Sequence, residues 1–243
     1  MLRTQFTPRH LANLSLWLDA ADASTVTTDG NNLVSQWNDK SGNGNNVTQT
    51  TAANRPAYTT QGRAGKNVIT FDGSNDFLVT PTLSISQPFT ILWAGQSNGF
   101  VANQSGNVVS GPYICDGTAS NTRVVISWNA DGSNAKNGRL FMFAGSVLET
   151  AAGSQAYNAW AVVSAVFDGS SSILRANAAQ VASGNPGATN ITALRLGERV
   201  TSIAGVTPFS GPWGQFLIYS RALGTDQLLA VERYLASQFE VPL

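Results

Sequence analysis

Cysteine and histidine are almost absent from this 243-residue chain, which has one of each, Cys115 and His10. A single cysteine cannot form a disulfide within the chain. One cysteine and one histidine are also too few for a Cys/His zinc site built by one chain. The scarcity of histidine bears on catalysis as well, because a serine nucleophile is normally activated by a histidine.

Charge is also scarce. Charged residues make up 12% of the chain and the formal net charge is +0, whereas globular proteins usually have about 25% charged residues. No basic surface for nucleic acid or an anionic membrane is therefore expected. No apolar run approaches the roughly 20 residues that span a bilayer, and the opening MLRTQFTPRH has no apolar h-region. We expect a soluble protein without membrane insertion or a secretory signal.

Short runs rich in β-branched and aromatic residues recur along the chain, separated by Gly, Asn, Ser and Pro. This pattern predicts an all-β protein, a two-sheet antiparallel sandwich or a barrel, and the lack of strand–helix alternation disfavours a doubly wound sheet. The predicted strands are Ser15–Asp19, Leu33–Asn38, Asn67–Asp72, Phe77–Thr80, Pro88–Gln96, Val108–Cys115, Arg123–Asn129, Arg139–Phe143, Trp160–Phe167, Ile173–Asn177, Ala193–Gly197 and Gly214–Ser220.

One amphipathic helix is predicted at the C-terminus, over Asp226–Gln238. Its apolar positions fall on one face at spacings of three and four: Leu228, Val231, Leu235 and Phe239. Gly224 stands at the expected N-cap, with Thr225 as the alternative, and Gln227 can reach back to the cap backbone. We expect the helix to pack on an edge or face of one sandwich domain covering residues 1–243, because no linker or repeat divides the chain.

Residues 95–99 (GQSNG) match G-x-S-x-G, the pattern of a serine nucleophile on a sharp strand-to-helix turn. In α/β-hydrolases the histidine follows the serine, whereas here the single histidine precedes Ser97. The residues after Gly99 have no helical pattern. We therefore expect Ser97 to belong to a strand-ending turn and not to be a nucleophile.

Acid pairs were the second catalytic possibility, because glycosidases place two carboxylates across the scissile bond. None of the four glutamates has a second acid on the same strand face; they are Glu149, Glu198, Glu232 and Glu240. Asp19 and Asp22 are close in the sequence, but a continuous strand would point them to opposite faces. A pair from separate strands stays open. We expect a protein that is not an enzyme.

Oxygen ligands for a hard cation cluster in two segments, with Asp39 in NDKSGNGNN and with Asp72 and Asp76 in FDGSNDF. Neither segment has the spacing of an EF-hand loop. Turns in which Asp and Asn bond their own backbone are the favoured interpretation. Calcium bound by Asp39, Asp72 or Asp76 is the alternative, and no other cofactor is predicted.

Six tryptophans could stack on sugar rings, but each lies in or beside a predicted strand, so core packing is the default expectation. Trp128 is followed by the polar run NADGSN, which makes it the best candidate for a position on the rim of the sandwich. Trp128 and Asn129 are therefore the candidate ligand-binding residues, although the pattern that supports them is weak.

Six separated segments, taken in order, resemble the concanavalin A-like, laminin-G-like jelly-roll superfamily. They are LSLWLDAADASTV (14–26), VSQWNDKSGNGNNVTQ (34–49), VITFDGSNDFLV (68–79), NAWAVVSAVFDGSSSILRANA (158–178), LRLGER (194–199) and FSGPWGQFLIYSRALGTDQL (209–228). The first two look like the N-terminal half of phage- and bacteria-encoded members. The resemblance implies a two-sheet antiparallel jelly roll with a core at about residues 14–240.

Departures from the family pattern carry information too. Ala161 stands where a histidine is usual, Gln215 stands where an acid is common in the closing strand, and the glutamate motif of the glucanase members is absent. The resemblance therefore argues against the enzymatic branch. If the acid at the position of Gln215 helps to hold a metal in some relatives, metal binding by this chain is in doubt.

The fold does not fix the function, and three hypotheses remain. The first is a tailed-phage virion protein (head decoration or tail) on the virion surface, made in the host cytoplasm. Its partners would be other virion proteins or cell-surface polysaccharide, and it could form a homo-oligomer. The second is an extracellular carbohydrate-binding module of a bacterial surface protein, and the third, least favoured, is a glycan hydrolase or lyase.

Overall fold

Alternating apolar and polar runs form two antiparallel sheets. The computed structural model of the protein describes residues 6–99, 109–130, 138–151, 157–200 and 208–243; the side chains at 109, 110, 129 and 130 lie outside the description. The first sheet contains β1 (Leu14–Asp19), β5 (Ala57–Arg63), β6 (Lys66–Asp72), β8 (Phe89–Gln96), β13 (Trp160–Phe167), β14 (Ser172–Ala176), β15 (Ala179–Gly184) and β17 (Ser210–Tyr219). The second contains β2 (Val26–Thr28), β3 (Val34–Trp37), β4 (Val47–Thr48), β7 (Leu78–Val79), β9 (Val109–Gly117), β10 (Val125–Ala130), β11 (Arg139–Phe143), β12 (Val147–Glu149) and β16 (Leu194–Leu196).

Strand β17 is the central element of the first sheet, whose order is β15-β14-β13-β8-β17-β6-β5. On one side β17 pairs with β8. On the other side its first half pairs with β6 and its second half with β1. The second sheet has the order β12-β11-β10-β9-β16-β7-β4-β3-β2. In the described part of the chain, 3-10 turns lie before β1 at Pro8–His10 and in the connections at Ala23–Thr25, Ala52–Asn54 and Gly169–Ser171.

The main core fills the space between the two sheets, where every second side chain of each strand points inward. A bulge at Gly214 shifts the pairing of β17 with β8 between Trp213 and Gln215. As a result Trp213 and Phe216 both point into this core, while Gln215 and Leu217 point to the outer face of the first sheet. Both sheets and this packing confirm the predicted two-sheet antiparallel β-sandwich with one C-terminal helix.

The helix, α1 (Thr225–Phe239), covers the outer face of the first sheet and forms a second core there. Gly224 is its N-cap, and the Gln227 side chain accepts a hydrogen bond from the Gly224 backbone N–H at 3.3 Å, as predicted. A Cβ atom on Gly214 would lie 2.3 Å from the Phe239 ring, so the glycine lets the helix end approach β17 closely. No helix in the described part of the chain is long and apolar enough to cross a bilayer.

One buried ion pair ties the helix to the sheet. The Arg175 guanidinium on β14 donates to both carboxylate oxygens of Glu232, at 2.8 and 3.0 Å. The two side chains are 9% and 1% exposed. Arg175 Nη2 also donates to the Ala178 carbonyl. Because breaking a buried ion pair leaves an uncompensated charge, the pair fixes where the helix lies on the sheet.

All the predicted strands exist, and the helix begins and ends one residue beyond its predicted bounds. Five strands were not predicted: β2, β4, β5, β12 and β15. Three of them have only two or three residues. The other two, AYTTQGR and AQVASG, are edge strands whose exposed side chains give no alternating apolar pattern.

Leu235→Asp is expected to lower the melting temperature by about 10 °C or more, because Leu235 is fully buried between helix and sheet. Leu229→Asp, the same chemical change at a half-exposed position of the same helix, is the control and should cost much less. Thermal unfolding followed by circular dichroism measures both. Equal melting temperatures for the two variants would contradict the docking of α1.

Candidate functional site

A groove of about 380 Å³ opens at the end of the first sheet, where β8 ends and β13 begins. Its lining consists of Arg63, Gln96, Asn158, Ala159, Trp160, Asn177 and Pro242, and we call it the amide groove. The strand register builds it: Trp160 pairs with Gln96, and the Asn158 backbone N–H donates to the Ser97 carbonyl at 2.7 Å.

Three primary amides line the groove. Asn158 is exposed and has a left-handed backbone (φ 58°), so its side chain is held at a turn that needs Asn or Gly. Asn177 also has positive φ, and its Oδ1 accepts from the Val162 N–H at 2.9 Å. Gln96 donates through Nε2 to Asn98 Oδ1 at 2.9 Å. Amides offer both donors and acceptors, which suits a ligand rich in hydroxyl groups.

One wall of the groove consists of Trp160. Its ring stacks on Phe239 of the helix, with centroids 5.1 Å apart and an interplanar angle of 17°. Only 8% of Trp160 is exposed, so an edge of the indole, not its face, is offered to the groove. The wall is therefore rigid and apolar but is no stacking platform.

Arg63 supplies the charge of the groove. It lies near the tip of the β5–β6 hairpin, and its guanidinium carbon is 5.9 Å from the centre of the Trp160 ring. Nε donates to the Phe239 carbonyl at 2.8 Å and Nη2 to the Glu240 carbonyl at 2.9 Å. These carbonyls end the helix, where the macrodipole is negative, so the cation is held in place at a favourable position.

A second cavity, of about 370 Å³, lies between the N-terminal segment and the helix. Phe6 and Tyr234 meet edge to face there, with centroids 6.3 Å apart. Burial raises the pKa of Tyr234. Arg233 and Ser237 also line this cavity, which contains no amide side chain. The amide groove has the richer set of directional polar groups, and we take it as the candidate site.

Ser97 lies in the turn directly after β8 and is 2% exposed. Its hydroxyl accepts a hydrogen bond from the Gly99 N–H at 3.2 Å. His10 is used elsewhere, where its Nδ1 accepts from the Thr7 N–H at 3.1 Å. These contacts agree with the predicted turn. The segment from residue 100 to 108 lies outside the described residues.

The placement of Trp128 on the rim was wrong. Trp128 is 1% exposed and lies in the main core, edge-on to Trp93 with centroids 5.8 Å apart. Ile126 and Trp128 alternate on β10 and, together with Val124 directly before it, lie in the main core. The strand continues through Asn129 and Ala130, so the polar residues that follow Trp128 do not place it on the rim. The other tryptophans are also at most 8% exposed, as core packing predicts. The Asn129 backbone pairs with Arg139, and its side chain lies outside the described residues.

Asp39 organises a loop. Its Oδ1 accepts from the backbone N–H groups of Trp17 and Ser41, at 2.9 and 2.7 Å. Its Oδ2 accepts from the Ser41 hydroxyl and the Asn45 N–H, at 2.7 and 3.0 Å. The contacts with Ser41 and Asn45 are of the kind that the turn interpretation predicts. The contact with Trp17 ties this loop to β1.

Asp72 and Asp76 occupy the turn after β6. Asp72 Oδ1 accepts from the Ser74 N–H at 2.7 Å, and Asp76 Oδ2 accepts from the Asp72 N–H at 2.9 Å. Burial of Asp76, together with the nearby Asp72 carboxylate, raises the pKa of Asp76 to about 6. Within the described ranges, no group of three or more His, Cys, Asp and Glu side chains could hold a metal ion.

The expectation that Asp19 and Asp22 point to opposite faces was also wrong. It assumed a continuous strand, whereas β1 ends at Asp19 and a turn follows. Lys40 Nζ contacts both carboxylates, at 2.9 Å from Asp19 and 2.8 Å from Asp22. Burial by itself would lower the pKa of Lys40. The hydrogen bonds to Asp22 and Asp19 together have the larger effect, so the pKa of Lys40 is raised. Lys40 bridges the two carboxylates and offsets one of their two negative charges.

The outer face of the first sheet also contains Gln215, in β17. Gln215 is fully buried, and its Oε1 accepts from the Trp17 indole N–H at 3.0 Å. Beneath the helix a neutral amide can satisfy that donor without burying a charge.

Comparisons with known proteins identify the fold. No protein-family model and no curated protein sequence matches the chain. Domain 4 of AbnA, a GH43 extracellular arabinanase from Geobacillus stearothermophilus solved with arabinotriose, is similar with a TM-score of 0.64 and 14% identity, over 92% of this chain and 98% of that domain. Trypanosoma rangeli sialidase (TM-score 0.61, 14% identity) matches over 95% of this chain. The receptor-binding domain of a botulinum neurotoxin C/D mosaic serotype (TM-score 0.60, 14% identity) matches over 91%.

The chain spans 34% of the sialidase and 51% of the neurotoxin domain. At such identities the likeness shows the fold, a two-sheet β-sandwich, and not an activity. Sequence reasoning missed every lining residue of the amide groove. The one local signal was Asn at the two ends of the β13–β14 hairpin, Asn158 and Asn177, where left-handed turns favour it.

The raised pKa of Asp76 predicts an unusual pH dependence. The folded state holds a proton on Asp76 up to about pH 6, whereas an unfolded Asp loses it near pH 3.8. Between these values folding takes up a proton, so this group makes the protein less stable as pH rises through the window. Asp76→Asn should remove a loss on the order of 1–3 kcal/mol between pH 4 and 7. Urea unfolding at both pH values measures it; parallel pH profiles of the two proteins would contradict the assignment.

Proposed function

We propose that this protein is a non-catalytic surface domain that binds glycans in the amide groove. The observation that supports this most is the lining itself: three amide side chains, an indole edge and a fixed guanidinium at one open site. Sugar hydroxyls need donors and acceptors together, and amides supply both. The structural neighbours include a domain solved with arabinotriose, which is in keeping with this use of the fold.

We further propose adhesion as the biological role, in a tailed-phage virion as a head decoration or tail component. The sandwich would be a rigid support, and loops at its ends would contact other virion proteins, a second copy of the chain or cell-surface polysaccharide. The opening segments that resemble phage-encoded members support this assignment. A carbohydrate-binding module of a bacterial surface protein, acting outside the cell, is the alternative, and it uses the same groove.

Asn158→Gly is expected to weaken glycan binding about fivefold, because it removes one directional amide while keeping a residue that tolerates φ 58°. A glycan array identifies the ligand, and calorimetry on the best oligosaccharide measures the change. Asn13→Gly is the matched control. Asn13 is also exposed and left-handed (φ 65°), but it lies beside Ser220, at the opposite end of β17.

Unchanged affinity in Asn158→Gly, or an equal loss in Asn13→Gly, would place the binding site elsewhere. The array is run with calcium and with a chelator. The described residues of the lining include no carboxylate side chain, so binding should be the same in both conditions. If binding required calcium, this would indicate a site at the loop of Asp39 or at the turn of Asp72 and Asp76.

The enzymatic alternative is tested at Ser97. Ser97→Ala should leave glycan binding unchanged, and wild type and variant should both lack turnover of the bound oligosaccharide and of acetylated sugars. The expected cost is the turn hydrogen bond to Gly99, about 1 kcal/mol of stability. Product formation by the wild type that Ser97→Ala abolishes would make Ser97 a nucleophile and overturn the non-catalytic assignment.

A further inference from the structure

We infer that the amide groove selects acidic glycans, with Arg63 binding a ligand carboxylate. This inference rests on the proposed function and names the class of saccharide. Among the described residues that line the groove, Arg63 is the one charged side chain, and none of them is acidic. A neutral sugar would leave that charge without an anion, whereas a uronic or other acid sugar would supply one.

The geometry of the guanidinium leaves one edge for the ligand. A guanidinium has two bidentate edges, one formed by Nε and Nη2 and the other by Nη1 and Nη2. The first edge is used, because Nε and Nη2 donate to the Phe239 and Glu240 carbonyls. Among the described residues nothing accepts from Nη1. The remaining edge has the fork geometry that matches a carboxylate.

Arg63 is also held before any ligand arrives. Two carbonyls at the helix end and the nearby Trp160 ring restrict the guanidinium. Binding an anion therefore costs little additional side-chain entropy. The carbonyls are neutral acceptors, so the positive charge of Arg63 is not cancelled as it is for Arg175, which faces Glu232. Glu240 is exposed at the end of the helix and is not among the residues that line the groove.

The amides then serve the rest of the sugar. Asn158 and Gln96 lie on the adjoining strand ends, and the amide of Asn158 has no partner among the described residues. Hydroxyl groups of the ring that carries the carboxylate can bond there while the carboxylate binds Arg63. Charge would thus give selectivity, and the amides would give affinity for any suitable sugar.

The test compares acidic polysaccharides with their own carboxyl-reduced forms, so that only the charge changes. Polygalacturonate, hyaluronan, alginate and polysialic acid form the panel, each with its reduced derivative, and biolayer interferometry measures affinity for the full chain. We expect at least one acidic form to bind about tenfold or more tightly than its reduced partner. Raising the salt from about 50 to 500 mM should shrink that preference.

Arg63→Gln should abolish the preference for the acidic form, and Arg63→Lys should keep part of that preference. Lys66→Gln is the control for loss of one positive charge, since Lys66 pairs with Arg63 across the hairpin but does not line the groove. Melting temperatures confirm that each variant is folded. If Arg63→Gln does not fold, the test relies on Arg63→Lys. A preference for the acidic form that is as large in Arg63→Lys as in the wild type would then overturn the inference.

Equal binding of acidic and reduced forms by the wild type overturns the inference and leaves the proposed function in place. The same holds for a preference that survives in Arg63→Gln. Absence of binding to every saccharide, on the panel and on the array, overturns the proposed function together with the inference.

Discussion

The packing of Phe239 against Gly214 and Trp160 is the contact on which the rest of the outer face depends. A bulge at Gly214 turns β17 so that Trp213 points into the main core and the backbone beside it is bare. The Phe239 ring fills that space and stacks on Trp160. The end of the helix is thereby fixed over the sheet, and burial of its apolar face supplies the stabilising free energy.

The amide groove follows from this contact. Because the helix ends at Phe239, its last carbonyls face the β5–β6 hairpin and hold the Arg63 guanidinium. Trp160 links the two, since its ring contacts Phe239 on one side and Arg63 on another. The contacts among Phe239, Trp160 and Arg63 stabilise the fold. They also leave one edge of the guanidinium, and the amides at the neighbouring strand ends, at an open surface. A rigid frame of this kind lets polar groups bind without first being ordered.

The sequence predicted the fold well because strands and helices have local sequence patterns. Apolar residues alternate with polar ones in the strands and recur at spacings of three and four in the helix. The sequence also contained the pattern that places Trp128 in the core, because Val124, Ile126 and Trp128 alternate as residues of one apolar face. The polar run that follows Trp128 suggested a rim position instead, and that prediction was wrong. The groove could not be found in this way. Arg63 and Phe239 are 176 residues apart, and no local pattern shows that they meet. Neighbour order within the sheet, which brings Gln96 beside Trp160, is likewise a property of the whole chain.

Side-chain NMR of the amide groups tests the central claim most directly, namely that a saccharide binds in the amide groove. An ¹⁵N-labelled sample is titrated with the best oligosaccharide from the array, and the side-chain amides of Gln96, Asn158 and Asn177 are followed. We predict that these signals, with the Trp160 indole, shift the most, while the Trp128 indole in the main core does not. Largest shifts on the second sheet, or in the loop of Asp39, would contradict the account.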